Sequence, residues 1–104
     1  MKIEDIQLYI KQNPAVLIYF YNDSCAPCKI LRPKVQDLIA SDFPKMNFLL
    51  LDAMHYPATA AYYGVFASPT LLVFFEEKEY VRESKNISIN ELRKKIHRLY
   101  SMIF

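Results

Sequence analysis

The sequence predicts an α/β domain built on a central mixed sheet of about four strands, with helices on both faces. Three observations carry this. Residues 15–21, 46–52 and 70–75 are apolar runs of strand length without alternation, the pattern of strands buried on both faces. A helical stripe of Ile30, Leu31, Val35, Leu38 and Ile39 separates the first two runs, and a strand–helix–strand crossover implies parallel, right-handed pairing. The third run leads through a polar turn at 76–79 into a shorter edge strand at 80–83, which implies an antiparallel hairpin.

Each element has its own local reason. Ile3, Ile6, Tyr9 and Ile10 recur at helical spacing, so residues 3–12 form a short amphipathic helix, ended by Asn13-Pro14. The first strand, 15–21, runs directly into Ser24-Cys25-Ala26-Pro27-Cys28-Lys29, and the helix after it extends to about residue 40. Pro33 lies inside that helix, where a proline costs ~3 kcal/mol and removes one backbone bond, so a bend is expected there. Residues 42–44 are a loop, and 46–52 a second buried strand. Pro57 opens a short helix through 58–63, stopped by Gly64, the single glycine of the chain. A connector, 65–68, reaches Pro69 and the strand at 70–75. The last helix opens on Ser88-Ile-Asn-Glu91, a capping box, with Ile87 placed to staple onto Leu92. Ile89, Leu92, Ile96, Leu99 and Ile103 share one face, and Arg93, Lys94, Lys95 and Arg98 read as a solvated face rather than a binding patch.

All 104 residues form one domain, large enough for a real core, and 53% hydrophobic residues suit a doubly covered sheet. A net charge of +2 argues for neither nucleic acid nor a membrane surface. No apolar run approaches the ~20 residues of a membrane span, and the first ten residues mix charges through their apolar positions, unlike a signal-peptide core. The expected setting is cytoplasmic, and the expected state a monomer.

The chemistry gathers at Cys25 and Cys28, the chain's two cysteines. They stand where a strand ends and a helix begins, so their sulfurs meet the free N–H groups and positive end of a helix. Such a site stabilises thiolate over thiol and can lower a cysteine pKa from ~8.5 to between ~3.5 and ~7.5. Cys25 is expected outermost and Cys28, one turn in, more shielded, with Pro27 in the first turn, where its missing N–H removes no helical bond. A redox dithiol competes with blander readings. A structural disulfide closing so short a loop contributes only about 2 kcal/mol. A closed zinc site wants four ligands, and His55 and His97 lack ligand spacing. Two inert reduced cysteines are the remaining alternative. Cys-x-x-Cys at a β–α junction favours the redox reading.

The order strand–CxxC–helix–strand–helix–Pro–hairpin–helix resembles the thioredoxin family. Cys25-Ala-Pro-Cys-Lys29 is similar to the family's Cys-Gly-Pro-Cys-Lys, and Pro33 matches its kink proline. Tyr63-Gly-Val65 and Ser68-Pro-Thr-Leu-Leu-Val-Phe74 resemble the segment around its cis-proline. The likeness runs from about residue 15 to the end. The departures are also specific. Ser24 stands where tryptophan is usual, Ala26 for glycine, and Tyr19 where an aspartate is often buried. Phe48 stands near a usual lysine, Ser68 precedes the proline, and Ser84-Lys-Asn86 lacks the usual glycine. No counterpart of the family's first strand precedes the helix at 3–12.

The resemblance implies a thioredoxin-like fold and a thiol–disulfide oxidoreductase acting on protein disulfides. Cys25 would attack, Cys28 resolve, and Cys25–Cys28 be the redox-active disulfide, with no other cofactor and no metal. Ser24, Ala26, Pro27, Tyr19, Ser68 and a cis Pro69 would support the pair, with the Ser68 backbone offered to an extended substrate. Disulfide-containing proteins and a reductase or other thiol donor are the implied partners. A redox-silent binding module on the same fold, or a metal-delivery protein, is the alternative.

Overall fold

A computed structural model describes residues 2–104. The elements follow as α1 (Ile3–Gln12), β1 (Ala15–Tyr21), α2 (Ala26–Asp42), β2 (Asn47–Asp52), α3 (Pro57–Tyr62), β3 (Thr70–Phe75), β4 (Lys78–Ser84) and α4 (Ile89–Ile103). The sheet order is β2-β1-β3-β4. β1 pairs parallel with β2 and antiparallel with β3, and β3 pairs antiparallel with β4.

Strand periodicity divides β1 between two cores. Leu17 and Tyr19 join Leu71, Val73 and Phe75 under α2 and α4. Val16, Ile18 and Phe20 join Leu72 and Phe74 under α1 and α3. Because both faces are covered, residues 15–20 and 70–75 are buried throughout, as the unbroken apolar runs require.

β2 departs from expectation. It is not a second fully buried strand: only Leu51 is fully buried, and the other five residues are half-buried. Its place at the sheet edge explains this, since only β1 lies beside it. The hairpin differs as well. β4 begins at Lys78, and the turn narrows to Glu76 and Glu77, both with positive φ, 49° and 73°. Those values suit the two-residue hairpin turn normally built from Asn-Gly, so nothing in the Glu-Glu composition announces it. A bulge then leaves Tyr80 as the extra residue between Glu79 and Val81, the partners of Phe74 and Val73.

Helix ends follow the local chemistry. Lys2 N–H donates to Asp5 Oδ2 at 2.8 Å at the start of α1. The Ser88 hydroxyl accepts from Glu91 N–H at 3.3 Å, and Leu92 and Ile96 are buried on the expected face of α4. α2 continues through Pro33 as one helix to Asp42. Phe43, expected in a loop, is buried instead, donates its N–H to the Ile39 carbonyl at 3.0 Å and meets the Tyr100 ring edge-on at 5.1 Å. α3 closes in a Schellman motif: Val65 N–H reaches the Ala60 carbonyl at 2.8 Å and Gly64 N–H the Ala61 carbonyl at 3.0 Å, with Gly64 at φ 68°. Arg93, Lys94, Lys95 and Arg98 of α4 are solvated, and three of them are ion-paired: Arg93 with Asp42, Lys94 with Glu91, and Lys95 with Glu83.

Candidate active site

β1 delivers the chain to the site. Tyr21 is its last residue, and the turn after it is closed by Cys25 N–H donating to the Asn22 carbonyl at 3.1 Å and Ser24 N–H to Asn22 Oδ1 at 2.9 Å. Cys25 is the N-cap of α2, and its Sγ accepts from Cys28 N–H at 3.2 Å. The Cys25 sulfur thus takes the place a serine or aspartate oxygen takes at other helix starts. Ala26 and Pro27 form the exposed first helical positions.

Cys25 and Cys28 are joined as a disulfide, with their Cα atoms 5.3 Å apart. Cys25 is half-buried and Cys28 is 2% exposed, the inequality expected from their places on the helix. Among the described residues, no three His, Cys, Asp or Glu side chains converge to hold a metal.

Tyr19 lies beneath this turn. It is fully buried, and its hydroxyl donates to the Cys28 carbonyl at 3.0 Å. Burial pushes its phenol up to about 12, against a smaller downward pull from the Arg32 charge. Its ring stacks on Phe48, with centroids 6.2 Å apart. Two departures from the family pattern, aromatic where aspartate and lysine are usual, are therefore neighbours across β1 and β2. Arg32 itself sits over the Tyr21 ring, 5.7 Å from its centroid.

The second family motif reaches the same end of the sheet. Thr70 pairs with Phe20, so residues 66–69 approach β3 beside the point where β1 releases the cysteine loop. The Ser68–Pro69 bond is cis; Pro69 is buried and Ser68 half-buried. The Pro69 carbonyl accepts from Lys85 N–H at 2.8 Å. Lys85 has φ 63°, so a lysine holds the left-handed conformation where the family usually has glycine. Ser24 stays exposed in the turn before Cys25.

One neighbour of the site escapes sequence reasoning. Arg82 of β4 caps the end of α3, donating from Nη2 to the Tyr63 carbonyl at 2.6 Å and from Nη1 to the Gly64 carbonyl at 3.2 Å. Nothing in the charged segment around it marks this reach across the sheet.

Comparison with known proteins agrees with this geometry. A sequence model of the Thioredoxin family matches residues 3–98. The thioredoxin-like protein YdfQ of Bacillus subtilis is 27% identical over 97 residues, covering 93% of this chain and 86% of that protein. A Staphylococcus aureus thioredoxin is 37% identical over 75 residues, covering 71% of this chain and 72% of its own length. Among solved structures, oxidised mitochondrial thioredoxin 3 of Saccharomyces cerevisiae superposes with a TM-score of 0.83 at 27% identity, over 92% of this chain and 89% of that one. The match spans both motifs and all four strands, so the chain belongs to the thioredoxin family and is a thiol–disulfide oxidoreductase.

Proposed function

We propose that Cys25 is the attacking thiol and Cys28 the resolving thiol in exchange with disulfide-bearing partner proteins. The Cys28 N–H aimed at Cys25 Sγ, on a half-buried N-cap, carries the reading. That donor and the helix N-terminus favour negative charge on the Cys25 sulfur, and partial exposure lets a partner reach it. In the forward direction, the Cys25 thiolate attacks one sulfur of the partner disulfide. The partner's S–S bond breaks, its departing thiolate takes up a proton, and a mixed disulfide forms. Cys28, deprotonated, then attacks Cys25 Sγ. The mixed disulfide breaks, the second partner thiolate leaves, and Cys25–Cys28 closes, with two electrons transferred. A reductase or another thiol donor returns the pair to the dithiol.

Tyr19 makes the second step distinctive. With a neutral phenol in place of a carboxylate, Cys28 meets less repulsion when it ionises, but lacks a carboxylate to take its proton. Attack by Cys25 is normal and resolution by Cys28 is slow. Among the described residues, no helix is long and apolar enough to cross a membrane. The proposed setting is the cytoplasm, where thiol donors sustain such a cycle.

Equilibrating the protein with glutathione buffers and assaying turnover of a protein disulfide tests this reading. The pair should cycle as an intramolecular disulfide and speed reduction of the partner. A potential near −270 mV makes it a reductant and one near −120 mV an oxidant. A pair that cycles without accelerating exchange on any protein disulfide would refute the function.

A further inference from the structure

The segment between α3 and β3 is pinned at both ends by β4 and the residue after it. At the near end, the Arg82 guanidinium holds the Tyr63 and Gly64 carbonyls. It is itself locked by Glu79, through Nε to Oε2 at 2.9 Å and Nη2 to Oε1 at 2.8 Å. At the far end, Lys85 N–H holds the Pro69 carbonyl. Thr70 Oγ1 donates to the Ala67 carbonyl at 2.7 Å and lies 2.9 Å from Ser84 Oγ. Val65 is buried as an anchor, yet Phe66, the next residue, is 86% exposed.

A lone exposed apolar side chain needs no explanation, but Phe66 is not alone. Met54, 76% exposed, follows β2, and Ile30, 64% exposed, lies near the start of α2. The pairing of Tyr21 with Asp52 and of Phe20 with Thr70 brings their three segments to the end of the sheet from which Cys25 emerges. An aromatic side chain on a loop ordered beforehand costs little further entropy when a partner covers it.

We propose that Arg82, fixed by Glu79, is a positioning residue for partner recognition. It holds the loop at 64–69 so that Phe66 meets an apolar side chain beside the partner's reactive cysteine. The inference rests on the exchange proposed for Cys25. It makes proteins with apolar residues flanking their disulfide the favoured substrates. Arg82 acts through Phe66 and touches no reacting atom. A lysine could not replace it, because one ammonium cannot serve a carboxylate and two carbonyls in the fixed fork of a guanidinium.

The experiment uses the pre-reduced protein and two synthetic peptides, each a symmetric disulfide dimer, one with leucine and one with serine on both sides of its cysteine. Second-order exchange rates give a Leu-to-Ser ratio for each variant. Because each ratio is taken within one variant, any general loss of active protein cancels. The parent should favour the leucine peptide. Phe66→Ser should lower the ratio about tenfold, the size expected for an aromatic contact at an interface. Arg82→Lys and Glu79→Gln should each lower it about threefold, and adding Arg82→Lys to Phe66→Ser should lower it no further. An unchanged ratio in Phe66→Ser, or Arg82 and Phe66 effects that simply add, would overturn the proposal while leaving exchange at Cys25 intact. Failure of the parent to react with 2-hydroxyethyl disulfide, which has no flanking side chains, would overturn the exchange reading and this proposal with it.

Discussion

Removing the Tyr19 hydroxyl tests both the buried architecture and the chemistry above it. In Tyr19→Phe, the bond to the Cys28 carbonyl at 3.0 Å is lost while the ring stays in place. One neutral hydrogen bond of this kind is worth about 1 kcal/mol. Unfolding entropy scales at ~2.1 cal/mol/K per residue, so this corresponds to a Tm lower by about 5 °C. Tyr19→Asp costs more. It removes a fully buried aromatic ring, a loss of about 3 kcal/mol or more before any desolvation of the carboxylate. The pH dependence separates burial from bonding. Below about pH 10, folded and unfolded chains both keep the phenol proton, and the stabilising contribution of Tyr19 is fully present. The folded phenol is pushed up to about 12, so above pH 10 the unfolded chain releases a proton that the folded chain retains. Stability then falls with rising pH, by roughly 1.4 kcal/mol per unit, until about pH 12. Tyr19→Phe lacks this fall, so its deficit at pH 7 should shrink and then reverse across that window. Tyr63 is also raised by burial, but contributes equally to both proteins. Urea unfolding of parent and variant from pH 7 to 12 measures the difference. Parallel profiles above pH 10 would refute a buried, neutral Tyr19. In stopped-flow exchange, folded Tyr19→Asp should resolve the mixed disulfide faster than the parent. Equal resolution rates would remove Tyr19 from the mechanism.

Other expectations follow from single features. Cys25→Ser should abolish disulfide reduction, and Cys28→Ser should accumulate partners as mixed disulfides. Mass spectrometry after limited alkylation of the reduced protein should find Cys25 modified first, and the reverse order would exchange the two roles. Replacing Glu76-Glu77 by Asn-Gly should raise stability by about 2 kcal/mol in urea unfolding, since both residues hold positive φ at ~1–2 kcal/mol each for an ordinary side chain. A neutral or destabilising result would show the turn is not of that type. Phe43→Ala should cost about 3 to 5 kcal/mol by the same measure, because a buried ring against Tyr100 is lost. A loss below 1 kcal/mol would return Phe43 to an ordinary loop.

Much of the fold was legible because its signals are local. Continuous apolar runs marked β1 and β3, a 3.6-residue stripe and capping box marked α4, and Pro57 and Gly64 bracketed α3. What escaped depends on partners distant in sequence. The burial of β2 is set by its place in the sheet order, which no run of residues encodes. Phe43 sits beside Pro44 and reads as loop until α4 arrives to cover it. The cysteine pair and its unequal exposure were legible because Cys-x-x-Cys at a strand–helix junction dictates both. The changes at Tyr19 and Phe48 could each be read singly, whereas their stacking appears only when β1 and β2 pair. Arg82 had no signal at all, since its acceptors are carbonyls 18 and 19 residues away.

The two borders of the sheet are unlike. β4 carries Lys78, Glu79, Arg82 and Glu83 along its length and is broken by a bulge, features that discourage another strand from joining. β2 offers Phe48, Leu49, Leu50 and Leu51 in succession, with no lysine, proline or bulge. Strand addition therefore has one point of entry. A sheet open on one border alone has no further border to offer once that one is filled, so any strand added at β2 would close the sheet at a pair rather than extend it into a fibre.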